Sequence, residues 1–225
     1  METSLHRQLK AHYAGADGLQ EVVCDGYRID AVRDGELVEI QHASLAAIRD
    51  KLRRLLAVHR VRLVKPIVVN KVLVKLNGRG GAEISRRRSP KRGVLLDLFD
   101  ELVYLTRVFP HERLVVEALL VDVEERRYPG RGKRRRRSDR DFQIDDQHLV
   151  RIVSTHAFAT TDDLRRLLPR RLPKQFHTGD LAARLKTPRW TAQRIAYCLR
   201  EMGAVTVVGK RGNAVLYTLP PRRAA

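Results

Sequence analysis

The tetrapeptide Arg33-Asp34-Gly35-Glu36 constrains this chain more than any other feature. Asp-Gly is the preferred centre of a two-residue type I′ hairpin loop, in which both central residues take positive φ. Such a loop fixes the register of both flanking strands: Ala31 faces Val38, Asp30 faces Glu39, Ile29 faces Ile40 and Arg28 faces Gln41. Alternation then sorts the side chains, with Ile29, Ala31, Val38 and Ile40 on a core face and Arg28, Asp30, Glu39 and Gln41 on a polar one. Two carboxylates directly across from each other repel, so the arrangement calls for a compensating cation. Mg²⁺ (or Mn²⁺) would serve, since Mg²⁺ binds one or two carboxylates plus waters and substrate phosphate oxygens.

Around the hairpin, the sequence predicts a short helix over Leu5–Tyr13 and strands over Glu21–Val32 and Glu36–Gln41. A helix over Ser44–Val58 follows, with Leu45, Ile48, Leu52, Leu55 and Leu56 at helical spacing. Val61–Leu76 is β-branched and strand-like, although Pro66 should interrupt it or confine it to an edge. A helix over Leu95–Val108 and a strand over Leu114–Val123 complete an α/β (α+β) arrangement, a small mixed sheet flanked by helices.

Positive charge divides the chain. The 225 residues carry 45 Lys+Arg against 26 Asp+Glu, a formal charge of +19. Arg79–Arg92 and Gly130–Arg140 contribute eleven of those nineteen charges, and both read as exposed loops. The second, which contains Arg134, Arg135 and Arg136, is a like-charge block with turn formers and cannot pack. It marks a basic linker at 129–142 between a domain at 1–128 and another at 143–220. The arginines there are candidates for direct contact with nucleic acid, the commonest polyanion in a cell, or else belong to a solvated connector.

Arg28-Ile29-Asp30 followed after a tight turn by Glu39-Ile40-Gln41 resembles the metal-binding signature of the PD-(D/E)XK nuclease superfamily, in a version with glutamine at the lysine position. The resemblance implies a restriction-endonuclease-like fold for 1–128. It also implies metal held by Asp30, Glu39 and the Ile40 carbonyl, with Gln41 orienting the attacking water. An amide can orient a water but cannot supply positive charge or accept a proton as an amine does. Lys51, beside the apolar stripe of the following helix, either turns toward the site and supplies that charge or passes its neighbours to solvent. The acidic residue that the family often carries in its first helix has only Glu2, or Glu21 on the first strand, as counterparts.

In the second half, Thr178–Leu185 makes a short helix, capped by Thr178, and Thr187–Gly203 a longer one with Pro188 in its first turn and Gly203 as its stop. Ala204–Val208 and Ala214–Leu219 are β-like runs joined by Gly209-Lys-Arg-Gly-Asn. Helix, turn, helix and basic hairpin resemble the winged helix-turn-helix superfamily over roughly 143–220. That likeness implies a second helix in a DNA major groove and a hairpin on the backbone or in the minor groove. Ile195, Leu199 and Met202 would face the first helix, with Trp190 and Tyr197 also in the core. Arg189, Gln193, Arg194 and Arg200 are left for solvent or for a groove, where arginine and glutamine can read guanine and adenine edges. Lys210 and Arg211 at the hairpin tip would meet phosphates.

Cys24 and Cys198, the only cysteines, match no metal-ligand spacing and read as reduced thiols. No apolar run approaches the roughly 20 residues of a membrane span, and the first ten residues lack the apolar core of a secretion signal. The expectation is a soluble, cytoplasmic, DNA-directed protein without membrane contact, DNA being favoured over RNA and a homodimer left open. Two functions compete: a Mg²⁺-dependent nuclease targeted by a winged helix, and a DNA-binding or regulatory protein whose nuclease-like half is silent.

Overall fold

The structure is a computed structural model that describes residues 2–130 and 141–220. It is a mixed α/β protein. A seven-stranded sheet runs in the order β1 (Leu19–Cys24), β2 (Tyr27–Arg33), β3 (Glu36–Ile40), β4 (Arg60–Leu76), β6 (Leu114–Pro129), β7 (Phe142–Phe158), with β5 (Glu83–Arg88) paired to β4, and a two-stranded sheet holds β8 (Thr206–Arg211) and β9 (Ala214–Thr218). The chain divides into two units that alternate along the sequence: Met1–Ile40, Val64–Leu95 and Ala118–His156 form the first, and Gln41–Leu63, Leu96–Glu117 and Ala157–Ala225 the second.

In the first unit, α1 (Ser4–Ala14) is started by Thr3, whose side chain accepts from the His6 amide, and is stopped by Gly15 at φ 64°. Leu5 and Leu9, one turn apart, bury against Ala31, Val38, Ile40 and Val64, the apolar side expected of the hairpin. Each such leucine contributes on the order of 2–5 kcal/mol relative to alanine. Strands β2 (Tyr27–Arg33) and β3 (Glu36–Ile40) pair antiparallel with Ala31 opposite Val38 and Arg33 opposite Glu36. Asp34 and Gly35 sit at φ 51° and 71°, the left-handed pair of a type I′ turn. The expected register forms over Ala31–Arg33 and Glu36–Val38.

The expected strand Glu21–Val32 is in fact two, β1 (Leu19–Cys24) and β2, separated by Asp25-Gly26 at φ 48° and 76°. The same Asp-Gly chemistry that marks the second hairpin makes the first. β4 (Arg60–Leu76) runs unbroken through Pro66. The proline removes one N–H from the ladder, and a seventeen-residue strand with neighbours on both sides carries the loss of one rung. Within the basic stretch 79–92, expected as a loop, Glu83–Arg88 forms β5, exposed throughout and paired to Val72–Leu76 of β4. The strand expected at Leu114–Val123 continues as β6 to Pro129.

Residues 142–158 differ most from expectation. They form a seventeen-residue strand, β7 (Phe142–Phe158), next to β6 in the large sheet, and the Gly130 amide donates to the Asp141 carbonyl at 3.0 Å. The described ends of the expected linker are thus the two sides of a strand pair. Arg134, Arg135 and Arg136 lie outside the described residues.

In the second unit, the expected helix from Ser44 is a 3₁₀ turn at Leu45–Ile48 running into α2 (Arg49–Leu55), with Glu101 Oε2 accepting the Leu45 amide at 2.8 Å. The expected Leu95–Val108 helix shortens to a 3₁₀ turn, α3 (Phe99–Leu102) and further turns. A capping box of Thr160 and Asp163 starts α4 (Thr161–Arg165). The cap of α5 (Thr178–Leu185) is His177 rather than Thr178: His177 Nδ1 accepts the Asp180 amide while Asp180 accepts the His177 amide. Helix α6 (Arg189–Glu201) follows Pro188 and buries Ile195, Leu199 and, just past its end, Met202. Gly203 follows at φ 72°. Strands β8 (Thr206–Arg211) and β9 (Ala214–Thr218) make a tight hairpin, and Phe176 bridges Tyr217.

Candidate functional sites: an acidic hairpin under α1 and a basic face on α6

Asp30 does not stand open toward Glu39. Its Oδ2 accepts the Ile40 amide at 2.8 Å, and its Oδ1 lies 3.1 Å from His6 Nε2 on α1. Burial opposes ionisation of Asp30, but the bonds from His6 and Ile40 outweigh it and hold the carboxyl below its ordinary range. On β3, Val38 and Ile40 pack among the α1 leucines, so alternation turns Glu39, 5% exposed, toward the opposite face. Gln41 lies just past β3, and its amide donates to the Ser44 carbonyl at 3.2 Å, bracing the turn into the next helix. Lys51 is a half-buried residue of α2.

What gathers around Asp30 is a different set. Glu2, His6 and Lys10 recur every four residues, and the His6 ring lies 3.6 Å from Glu2. Lys10, only 4% exposed, bonds Glu2 and meets Glu21 at 2.5 Å; Glu21 also pairs with Arg28. Glu21 takes φ 57° in the middle of β1, where the pairing passes from Gln20–Ala31 to Val22–Ile29. A non-glycine residue rarely adopts that region, so the backbone is strained there. Lys10, then Arg28, lowers the Glu21 carboxyl to about 2.

Each oxygen of Asp30 is engaged by one hydrogen bond, and Lys10 and Arg28 bring positive charge to the neighbouring Glu21. The i, i+4 spacing of Glu2, His6 and Lys10 beside Leu5 and Leu9 was the sequence signal for this cluster.

On α6, Arg189, Gln193, Tyr197 and Arg200 form one stripe and, with Thr178 and Asn213–Val215 and Tyr217 of the hairpin, line a cleft of about 290 Å³. Arg189 and Gln193 are exposed. Arg194 lies off this stripe: its Nη1 meets Asp100 of α3 at 2.5 Å and its guanidinium lies over Trp190. It ties α6 to α3. Trp190 and Tyr197, expected in the core, are 55% and 40% exposed, because the helix turns Ala192, Ile195, Ala196 and Leu199 inward instead. Lys210 and Arg211, at the end of β8, are exposed.

The cysteines are free thiols. Among the described residues no helix is long and apolar enough to cross a membrane.

The class defined by these features is a mixed α/β protein with a large sheet flanked by helices, an acidic cluster beneath its first helix and a basic face on its longest late helix. The chain belongs to the family described as "Domain of unknown function (DUF8091)", whose model matches residues 3–159. It is also similar to an "Uncharacterized protein" of Treponema pallidum (strain Nichols), with 31% identity over 229 residues covering 98% of this chain and 86% of that relative. No solved structure matches the chain.

Proposed function

We propose that this protein binds duplex DNA through a winged helix-turn-helix and that its restriction-endonuclease-like half is a catalytically silent scaffold. The stripe of Arg189, Gln193, Tyr197 and Arg200 beside the β8–β9 hairpin carries the reading. The order α4, Phe176 bridge, α5, α6, β8, β9 supports a winged helix, in which α6 enters the major groove and the hairpin follows the backbone. Arginine reads guanine O6 and N7 bidentately and glutamine reads adenine N6 and N7, and these two side chains lie one turn apart. Lys210 and Arg211 neutralise phosphates from the hairpin, and the +19 charge draws the chain to DNA. The nuclease-like reading of the first half rests on the chain order α1, β1, β2, β3, α2, β4 and on Asp30 and Glu39 of the hairpin. Its silence rests on Asp30 being hydrogen-bonded on both oxygens and on Gln41 being committed to Ser44.

Fluorescence anisotropy with a randomised duplex, followed by selection of bound sequences, tests the binding. The expected result is sequence-selective, salt-dependent affinity that Arg189→Ala with Gln193→Ala reduces about tenfold or more, at about 1–3 kcal/mol per base contact. Affinity unchanged in that variant would remove the proposal. Incubation with supercoiled plasmid in Mg²⁺ or Mn²⁺ tests the silence; cleavage that depends on Asp30 and Glu39 would select the nuclease instead.

A further inference from the structure

A second cleft, about 500 Å³ in volume, lies within the first unit between β4, β5 and the facing ends of β6 and β7. Cross-strand pairing aligns Leu73 with Arg87 and Lys75 with Ser85, so these four share one face of the β4–β5 ribbon and line the cleft. Lys75 and Arg87 are exposed. Opposite them the Arg127 guanidinium lies 3.8 Å above the centre of the Phe142 ring. Arg127 is anchored by Glu125, which is 1% exposed on its side chain and also accepts from Lys71 at 2.5 Å and Gln147 at 2.7 Å. Tyr128 completes this wall, its hydroxyl bonded to Gln143 Oε1 at 2.5 Å, and Asp141 brings the one carboxylate among the lining residues.

We infer that this cleft holds one nucleotide of a single-stranded nucleic acid, its base against the Arg127–Phe142 stack and its phosphate between Lys75 and Arg87. Bases stack on guanidinium planes and aromatic rings only when they are unpaired, because a duplex keeps its π faces occupied. The volume falls in the range of small-ligand sites, and two cations on a ribbon face that carries no carboxylate match a phosphodiester. The stack is held before binding, by the buried Glu125, so little side-chain freedom is lost on occupancy. This site is separate from the α6 face and takes a different form of nucleic acid.

The test uses the full chain, a fluorescent ten-residue oligothymidine, the same sequence as RNA, a mononucleotide competitor and a duplex of equal length, each titrated across a salt series. Lys75→Gln with Arg87→Gln should weaken single-strand binding and lower the slope of log K against log salt by about 0.7, the value for the one phosphate no longer neutralised, while leaving duplex affinity unchanged. Arg88→Gln with Arg92→Gln removes the same charge, Arg88 lying on the other face of the ribbon, and should leave single-strand binding near wild type. Arg189→Ala with Gln193→Ala should reduce duplex binding alone. Competition by the mononucleotide at equal affinity identifies the free nucleotide as the ligand and overturns the strand assignment. Equal reductions in affinity from the two charge-removing pairs, or undiminished single-strand binding in the Lys75, Arg87 pair, overturn the site itself.

Discussion

His6 Nε2 of α1 stands 3.1 Å from Asp30 Oδ1, while the other oxygen of the same carboxylate accepts the Ile40 amide. One side chain therefore joins the first helix to the second and third strands. Asp30→Ala should destabilise the fold by about 1–3 kcal/mol, because it leaves the Ile40 amide without its acceptor. His6→Ala, which keeps that acceptor, should cost less. Urea unfolding measures both, and equal stability of Asp30→Ala and wild type would show that the bond contributes nothing.

Saturating Mg²⁺ should leave the melting temperature of the wild-type protein unchanged. A ligand that binds only the folded state raises stability by mass action, so a clear upward shift in a thermal melt would reveal a metal site at odds with the balanced carboxylates described above.

Acid should unfold the protein in part through Glu21. Its carboxyl is lowered to about 2 in the fold by Lys10 and then Arg28, against an ordinary value of 4.5. A carboxyl lowered on folding contributes stability that is fully present above 4.5 and lost as pH falls through about 2. Asp30, also lowered, adds loss in the same direction. Glu21→Gln should flatten the stability–pH curve between those limits, as followed by circular dichroism at fixed urea.

Arg194→Ala should separate packing from recognition. The Arg194–Asp100 pair is more than a third exposed on both sides, so its loss should cost at most about 1 kcal/mol of stability. Duplex affinity should change far less than in Arg189→Ala, although each variant loses one positive charge. Equal reductions in affinity would return Arg194 to the groove-facing set.

Cys198 should resist alkylation in the native protein. It is fully buried, its thiol points at the Phe99 carbonyl 3.8 Å away, and burial pushes its pKa up to about 12. Iodoacetamide at pH 8 followed by mass spectrometry should label the half-buried Cys24 first and Cys198 only after unfolding.

The local features could be read because their causes are local. Asp34-Gly35 fixed its own turn and the Ala31–Val38 register, since positive φ at two adjacent residues leaves the backbone little choice. The same rule applied to Asp25-Gly26 would have divided the strand expected at Glu21–Val32. Leu5 with Leu9, and Ile195 with Leu199, declared their buried faces through helical spacing. β7 stayed hidden because it is polar along most of its length and alternates weakly, so that only pairing with β6 makes it a strand.

The amino-acid order by itself determined the hairpin, the helix–turn–helix–hairpin succession and the excess of positive charge, all set by neighbours within a few residues. Tertiary structure alone decided the partners: Asp30 with His6, Lys10 with Glu21, Arg194 with Asp100, Arg127 with Phe142. A charged side chain is compatible with any opposite charge or ring within reach. Which one it meets depends on how distant elements are brought together by the burial of leucines, valines and isoleucines, a long-range constraint that no short window of sequence contains.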